Sequence, residues 1–170
     1  MSILAFGDRV EEVLPLTSLR DDVYIPGLPK GGWTDYAAVF DYLAHVIPWD
    51  FQRLSVDFRV KRPAIYFITD GQPVVGGKVQ PDELWKIPLK ALHEHLSKPI
   101  ITSLGLGEAI ERTLCEVRSS PGQAWVATPE AVPGQLLGAI IDQIIKSVVQ
   151  SSSGDDFVFE TPRGMRRITC

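Results

Sequence analysis

The sequence predicts an α/β protein in which a three-layer, doubly wound and mostly parallel sheet is flanked by helices. Short apolar runs rich in β-branched and aromatic residues alternate with longer segments of helical periodicity, and this alternation is typical of βαβ units. The run that begins at Ala64 and ends at Thr69 has five apolar residues without alternation, which favours a strand buried on both faces. Pro63 precedes the run, and Gly71 turns the chain away after Asp70, so the strand has defined ends.

The elements on either side of this strand are predicted from hydrophobic periodicity and from the prolines and glycines between segments. Pro48 is expected to end one helix, and Pro88 to kink or split another. Before the strand, the predicted elements are strands at Ser2–Phe6 and Glu12–Leu16, a loop at Arg20–Lys30 and helices at Thr34–Ile47 and Asp50–Val60. After it, they are a loop at Val74–Lys78, helices at Asp82–Leu96, Glu108–Ser119 and Leu136–Val149, and strands at Ile100–Leu104 and Ala124–Ala127.

The C-terminal end of the chain has a different composition. Residues 151–156 read Ser-Ser-Ser-Gly-Asp-Asp, which indicates a polar linker. Phe157–Glu160 is interpreted as an isolated strand. The sequence therefore predicts one domain over residues 1–150 and a linker with a C-terminal tail over residues 151–170.

Composition and charge exclude several classes of function. The chain has 170 residues and a formal net charge of -4, with scattered lysines and arginines, so we expect no nucleic-acid interface. No apolar run has the length of a membrane span, and no signal peptide is recognised at the N-terminus. The two cysteines, Cys115 and Cys170, suggest no disulfide framework and a reducing compartment. The expected location is therefore the cytoplasm, with no membrane partner.

Two motifs of the sequence resemble the von Willebrand factor A family. The residues Gly-Gly-Trp-Thr, which end at Thr34, open a helix, and Thr-Asp-Gly, centred on Asp70, closes the strand that begins at Ala64. The order of elements between Ser2 and Val149 also matches that of the family, whose fold is Rossmann-like. The sequence is similar to bacterial members encoded near tellurium-resistance-type genes.

The resemblance implies a metal-ion-dependent adhesion site. In the family, the residues matching Thr34 and Asp70 help to hold Mg²⁺, an ion that prefers oxygen ligands and keeps waters readily. An open position on the ion accepts a carboxylate from a partner protein. Trp33, Asp35 and Gly71 are the expected partner-binding residues. For Trp33, packing under the loop is the alternative, and for Asp35 it is helix capping.

The sequence lacks the segment that supplies the other ligands of this site. The family begins one strand and one helix earlier, and its first strand ends in Asp-x-Ser-x-Ser, a motif absent here. Asp8, Thr17 and Ser18 lie in the wrong element. Met1 is then an internal methionine of a longer chain, or another chain supplies the strand, or the flanking strands pair directly. Mg²⁺ binding is expected to be weak or absent in this chain alone.

The expected function is therefore a protein-interaction module rather than an enzyme. A degenerate scaffold is the first alternative, binding partners without metal through other surfaces or through the Phe157–Cys170 tail. The second is a small hydrolase or phosphotransferase that uses Asp70 as nucleophile or metal ligand, which requires a second carboxylate and a closed pocket. The sequence contains neither a P-loop motif nor a Gly-x-Ser-x-Gly elbow, so no motif supports this alternative.

Overall fold

The computed structural model describes residues 1–18, 24, 27, 32–154 and 157–170, without the side chains of residues 152 and 153. Most of the predicted loop at Arg20–Lys30, and the first glycine of the Gly-Gly-Trp-Thr motif, lie outside the described residues. The elements are β1 (Ile3–Phe6), β2 (Val10–Leu14), α1 (Tyr36–Ser55), β3 (Ala64–Thr69), β4 (Val74–Val75), β5 (Lys78–Val79), α2 (Asp82–Glu94), β6 (Ile100–Gly105), α3 (Glu111–Val117), β7 (Ala124–Ala127), α4 (Pro133–Ser153) and β8 (Met165–Arg167).

These elements form two compact units, each of which is built from two stretches of chain. The first unit comprises Met1–Val60 and Pro73–Ser97, and the second comprises Lys61–Gln72 and Lys98–Cys170. The first unit contains the antiparallel pairs β1–β2 and β4–β5 together with α1 and α2. The second unit contains the four-stranded sheet, α3 and α4.

The core of the first unit is aromatic. The ring of Tyr36 lies 5.8 Å from the rings of Phe40 and Trp85, nearly perpendicular to both. Edge-to-face packing of this kind adds to the burial of apolar area. Tyr36 and Phe40 are one helical turn apart on α1, and Trp85 lies on α2, so the two helices pack through these side chains.

The predicted end of a helix at Pro48 and the predicted split of a helix at Pro88 are wrong. The helix α1 runs through Pro48, and α2 runs through Pro88. Proline inside a helix removes one backbone hydrogen bond and costs about 3 kcal/mol. Most of the stability of a helix in a protein comes from tertiary packing, and the buried faces of α1 and α2 outweigh this cost. The separate helix expected at Asp50–Val60 is therefore the end of α1.

The second unit confirms the prediction of a mixed α/β fold with a mostly parallel sheet. The strand order is β3-β6-β7-β8, in which β3–β6 and β6–β7 are parallel and β8 is antiparallel to β7. Every residue of β6 is buried. The burial on both faces that was predicted for β3 is wrong, because β3 is the terminal strand of the sheet and only Phe67 and Thr69 of it are buried. Trp125 clusters with Ile140 of α4, and Ala124 and Val126 cluster with Leu114 of α3. Because neighbouring residues of a strand face opposite sides, α3 and α4 cover opposite faces of the sheet.

The C-terminal end of the chain is part of this unit. The predicted linker begins inside α4, which continues to Ser153. The strand predicted at Phe157–Glu160 is wrong, since the last strand is β8, whose residue Met165 pairs with Ala127. Phe159 and Met165 are instead buried against Trp125. These residues thus complete a hydrophobic core whose other members lie earlier in the chain.

The prediction that the cysteines form no disulfide is also wrong. Cys115 in α3 is bonded to Cys170, with the Cα atoms 5.5 Å apart and a sequence separation of 55. The pairing of β8 with β7 places the end of the chain beside α3. Ile168 there packs with Leu114 of α3 and Ala124 of β7. Because the two cysteines are far apart in sequence, they come close together only when β8 pairs with β7 in the sheet.

In the first unit the strand β1 pairs with β2, and in the second unit β3 pairs with β6. The three explanations for the missing strand therefore stay open. In the described part of the chain, no helix combines the length and hydropathy required to cross a membrane.

Candidate functional site

Asp70 follows the last residue of β3, at the edge where parallel strands end. Thr69 pairs with Gly105 at the end of β6. The amide of Leu106 donates to the carbonyl of Thr69 at 2.8 Å, and the amide of Glu108 donates to the carbonyl of Asp70 at 3.1 Å. The backbone of Asp70 is thus held by the loop that follows the neighbouring strand.

Gly107 allows this loop to approach Asp70. Its φ angle is +50°, and a Cβ built on it would lie 3.3 Å from the carbonyl oxygen of Asp70. Glycine tolerates both the positive φ angle and the close approach of the backbone, because it has no Cβ atom. On the other side of Asp70, the hydroxyl of Thr69 donates to the carbonyl of Gly71 at 3.2 Å. The turn is therefore fixed on both sides by short-range contacts.

The carboxylate of Asp70 is exposed and makes no hydrogen bond or ion pair with any residue that the structure describes. Glu108 is exposed at the same edge. Glu108 was predicted at the start of a helix, but α3 begins at Glu111. The signal that reveals Glu108 is its position three residues after the end of β6. Asp70 directly follows β3, and parallel strands end at one edge of a sheet.

In the first unit, Thr34 lies before α1 rather than in its first turn. Its amide donates to the carbonyl of Val74 at 2.9 Å, and its carbonyl accepts from the amide of Val74 at 3.2 Å. The helix begins at Tyr36 because Asp35 is its N-cap, with φ −79° and ψ 90°. The bridge to Val74 therefore fixes the backbone of Thr34 outside the helix.

Asp35 has the capping role that was predicted as an alternative to partner binding. Its Oδ1 atom accepts hydrogen bonds from the amide of Ala38 at 2.9 Å and from Nε2 of Gln80 at 2.8 Å. Oε1 of Gln80 accepts from the amide of Tyr36 at 3.0 Å. Asp35 and Gln80 together satisfy amides at the start of α1, which an isolated helix leaves without partners. No local signal in the sequence reveals the role of Gln80.

Asp8 and Trp33 lie beside this helix start. Oδ1 of Asp8 accepts from the amide of Trp33 at 2.8 Å. A Cβ built on Gly32 would lie 2.7 Å from Oδ2 of Asp8, so glycine leaves room for this carboxylate. The side chain of Trp33 is 45% exposed, and its Cη2 atom lies 3.7 Å from a Cβ built on Gly77. Trp33 thus lies beside the β4–β5 turn and presents surface to solvent.

The predicted ligands of Mg²⁺ belong to different units. Thr34 is in the first unit and Asp70 in the second, so a shared ion stays a prediction. Among the residues described, no group of three or more histidine, cysteine, aspartate or glutamate side chains could hold a metal ion. Asp35 is engaged at the helix start, and Asp70 by itself does not supply the ligand set of a tightly held Mg²⁺. The described residues therefore do not fit a complete metal site.

Comparisons of the chain with protein-family models, with curated proteins and with solved structures find no match. The fold therefore defines the chain as a mixed α/β protein with a mostly parallel sheet. Asp70 and Glu108 lie at the edge where its parallel strands end.

Proposed function

We propose that this chain is a protein-interaction module of von Willebrand A type, whose contact edge is the end of β3. The observation that carries the proposal is the exposed carboxylate of Asp70 on a fixed turn, without a partner among the described residues. Acidic groups on loops at the carboxyl ends of parallel strands lie where ligands of α/β proteins bind. The rigid backbone around Asp70 is suited to recognition, because little ordering is required on binding.

The proposed mode of contact is a hydrated Mg²⁺ ion that joins Asp70 to a carboxylate of the partner protein. Mg²⁺ retains several waters and is commonly held by one or two carboxylates together with oxygens of the bound molecule. Thr34 is proposed as a further ligand on the strength of the resemblance alone. The affinity of this chain for the metal by itself is expected to be low. A bacterial stress or tellurium-resistance system is the proposed setting.

Mn²⁺ titration tests this mode without knowledge of the partner. In a two-dimensional NMR spectrum of the labelled protein, paramagnetic Mn²⁺ broadens the amide signals of residues near the ion. The expected result is that the amides of Gly71, Gly107 and Glu108 broaden first. Excess Mg²⁺ should restore them. Broadening of the Thr34 amide in the same titration would support its role as a ligand of the same ion.

The matched variants are Asp70→Asn and Asp57→Asn. Both remove one negative charge with almost no change of shape, and Asp57 is an exposed residue just after α1. Asp70→Asn should require at least about tenfold more Mn²⁺ for the same broadening, which corresponds to about 1.4 kcal/mol. Asp57→Asn should leave the signals of Gly71 and Gly107 unchanged. Equal sensitivity of both variants would contradict the metal-mediated mode.

Capture of partner proteins separates the interaction role from the metal role. Asp70→Ala should weaken capture without lowering the unfolding temperature, since the Asp70 side chain is exposed. If capture is lost in the variant but is insensitive to a metal chelator, Asp70 contacts the partner directly. If capture is unchanged in the variant, the contact edge is elsewhere and the scaffold alternative is favoured.

A second candidate function is favoured by the position of Glu108. The hydrolase alternative requires a second carboxylate near Asp70, and the amide of Glu108 bonds to the Asp70 carbonyl. Two carboxylates at one edge are a recurrent arrangement for metal-assisted hydrolysis. Turnover of a generic phosphate ester, abolished by both Asp70→Asn and Glu108→Gln, is the result that would establish this function instead.

A further inference from the structure

The outer face of α4 carries a regular stripe of small and apolar residues. The inner face buries Leu136, Ile140 and Ser147 in the second unit. The stripe follows a spacing of four and three residues and consists of Gly134, Gly138, Ile141, Ile145 and Val148. This spacing is that of the a and d positions of a coiled coil, which form a seam along one helix.

The stripe is exposed to solvent. Ile141 is 46% exposed, Ile145 is 56% exposed and Val148 is 36% exposed. Leu137 lies beside the stripe and is exposed as well. Scattered apolar residues are ordinary on a protein surface, whereas a contiguous row of them on one helix indicates a contact surface.

The two glycines of the stripe have no structural role within the described fold. A Cβ built on Gly134 or on Gly138 has no heavy atom within 4 Å. Glycine is the least favourable residue of a helix interior after proline, so α4 is weakened at Gly138, where alanine would fit. A second helix that approaches closely would make use of the missing side chains, since the distance between packed helices depends on the residues at the contact.

We propose that the stripe of α4 binds the same stripe of a second copy of this chain, with the two helices antiparallel. In one register, Ile141 of each copy packs on Ile145 of the other. The same register places Gly138 of each copy opposite Val148 of the other. The Val148 side chain then packs in the space that the missing side chain of Gly138 leaves. A two-fold axis generates all of these contacts, as a self-complementary homodimer interface requires.

The charges beside the stripe favour a second copy in this orientation. Asp142 and Lys146 are exposed on the same flank of the stripe, one turn apart. Neither makes an ion pair with another residue in the part of the chain that the structure describes. In an antiparallel pair the same flanks of both helices meet, so Asp142 of one copy faces Lys146 of the other twice. In a parallel pair opposite flanks would meet, so Asp142 and Lys146 would lack this pairing with the other copy.

The expected dimer is weak. A stable interface buries about 800 Å² per partner, and a contact along about three turns of one helix buries less. We therefore expect reversible association with a dissociation constant in the range from micromolar to about 1 mM. Sedimentation velocity across a concentration series measures this range directly on the whole chain.

The first test compares Ile145→Lys with Ile87→Lys. Both change an exposed isoleucine of a helix, and Ile87 lies on α2 at 69% exposure. Ile145→Lys should raise the dissociation constant at least tenfold, whereas Ile87→Lys should leave it unchanged. A wild-type chain that stays monomeric up to about 1 mM, or equal effects of the two variants, would overturn the proposal.

Two further variants separate this interface from a helix of some other protein. Asp142→Lys and Lys146→Asp should each weaken the dimer several-fold, and the double variant should restore it, because reversal of both charges recreates the pair between copies. Gly138→Ala should raise the unfolding temperature of the monomer and yet weaken the dimer. Failure of the double variant to restore association, or a tighter dimer in Gly138→Ala, would refute the antiparallel pairing.

Discussion

Tyr66 in β3 donates a 2.9 Å hydrogen bond from its phenol to the hydroxyl of Ser147 in α4. Ser147 is 1% exposed, so loss of its partner leaves a buried polar group, which costs about 1–3 kcal/mol. Tyr66→Phe is expected to lower the free energy of unfolding by about 1–2 kcal/mol. Urea unfolding followed by circular dichroism measures this change.

The control for this prediction is a double-mutant cycle. Ser147→Ala should have a similar effect, and the variant with both changes should lose less than the sum of the two, since the partners interact. Strict additivity would show that the hydroxyls contribute independently of each other.

The same tyrosine makes the free energy of unfolding depend on pH in the alkaline range. Burial raises the pKa of the Tyr66 phenol above its ordinary value of 10.0, although the hydrogen bond with Ser147 acts in the opposite direction. The unfolded chain releases this proton at a lower pH than the folded chain, so the folded state binds more protons above pH 10. The contribution of Tyr66 is therefore present below pH 10 and is lost as the pH rises through the raised pKa.

Unfolding temperatures measured from neutral pH to above pH 10 check this expectation. Tyr66→Phe should flatten the decline at high pH. Tyr24→Phe is the matched control, since Tyr24 is 83% exposed, and it should leave the decline as in the wild type. The same slope in both variants would be evidence against a buried phenol at position 66.

The disulfide between Cys115 and Cys170 should stabilise the chain strongly. It closes a loop with a sequence separation of 55, and the chain-entropy estimate for a loop of this length is about 4 kcal/mol. Reduction should lower the midpoint of denaturant unfolding accordingly. The variant with both cysteines changed to alanine should unfold like the reduced protein and should not respond to reductant. Two reactive thiols in the native, unreduced protein would disprove the bond.

The start of α1 should depend on Asp35 and Gln80 together. Asp35→Ala removes the acceptor for the amide of Ala38 and for Gln80, and the expected loss is about 1–2 kcal/mol of stability. Asp35→Ser retains a capping oxygen and should lose less. Gln80→Leu removes the acceptor of the 3.0 Å hydrogen bond from the amide of Tyr36 and should cost about 1–3 kcal/mol. Thermal unfolding ranks these variants, and an equal loss for Asp35→Ser and Asp35→Ala would argue against capping.

Local patterns predicted much of the secondary structure. The strand β3 was predicted with its bounds, because Pro63 and Gly71 mark both ends of an apolar run. The capping role of Asp35 was predicted as an alternative, since an acid before an apolar helix has a local function. The exposed turn at Asp70 follows from the same kind of signal, an Asp-Gly pair after a strand.

Features that depend on distant residues were missed. Pro48 was expected to end a helix, but packing of α1 on α2 outweighs one lost hydrogen bond. The C-terminal residues were interpreted as a tail, although Phe159 and Met165 are buried against Trp125. Gln80 lies 45 positions after Asp35, a distance at which no periodicity or motif connects the two.

By itself, the sequence determined the class of the fold and the positions of most strands and helices, since hydrophobic periodicity and turn residues act over a few neighbouring positions. Only the tertiary structure decided that β8 joins the sheet, that Cys115 bonds to Cys170 and that Gln80 completes the start of α1. The physical reason is that these contacts join residues far apart in the chain. Their free energy is gained only when the strands and helices pack, and no local pattern records it.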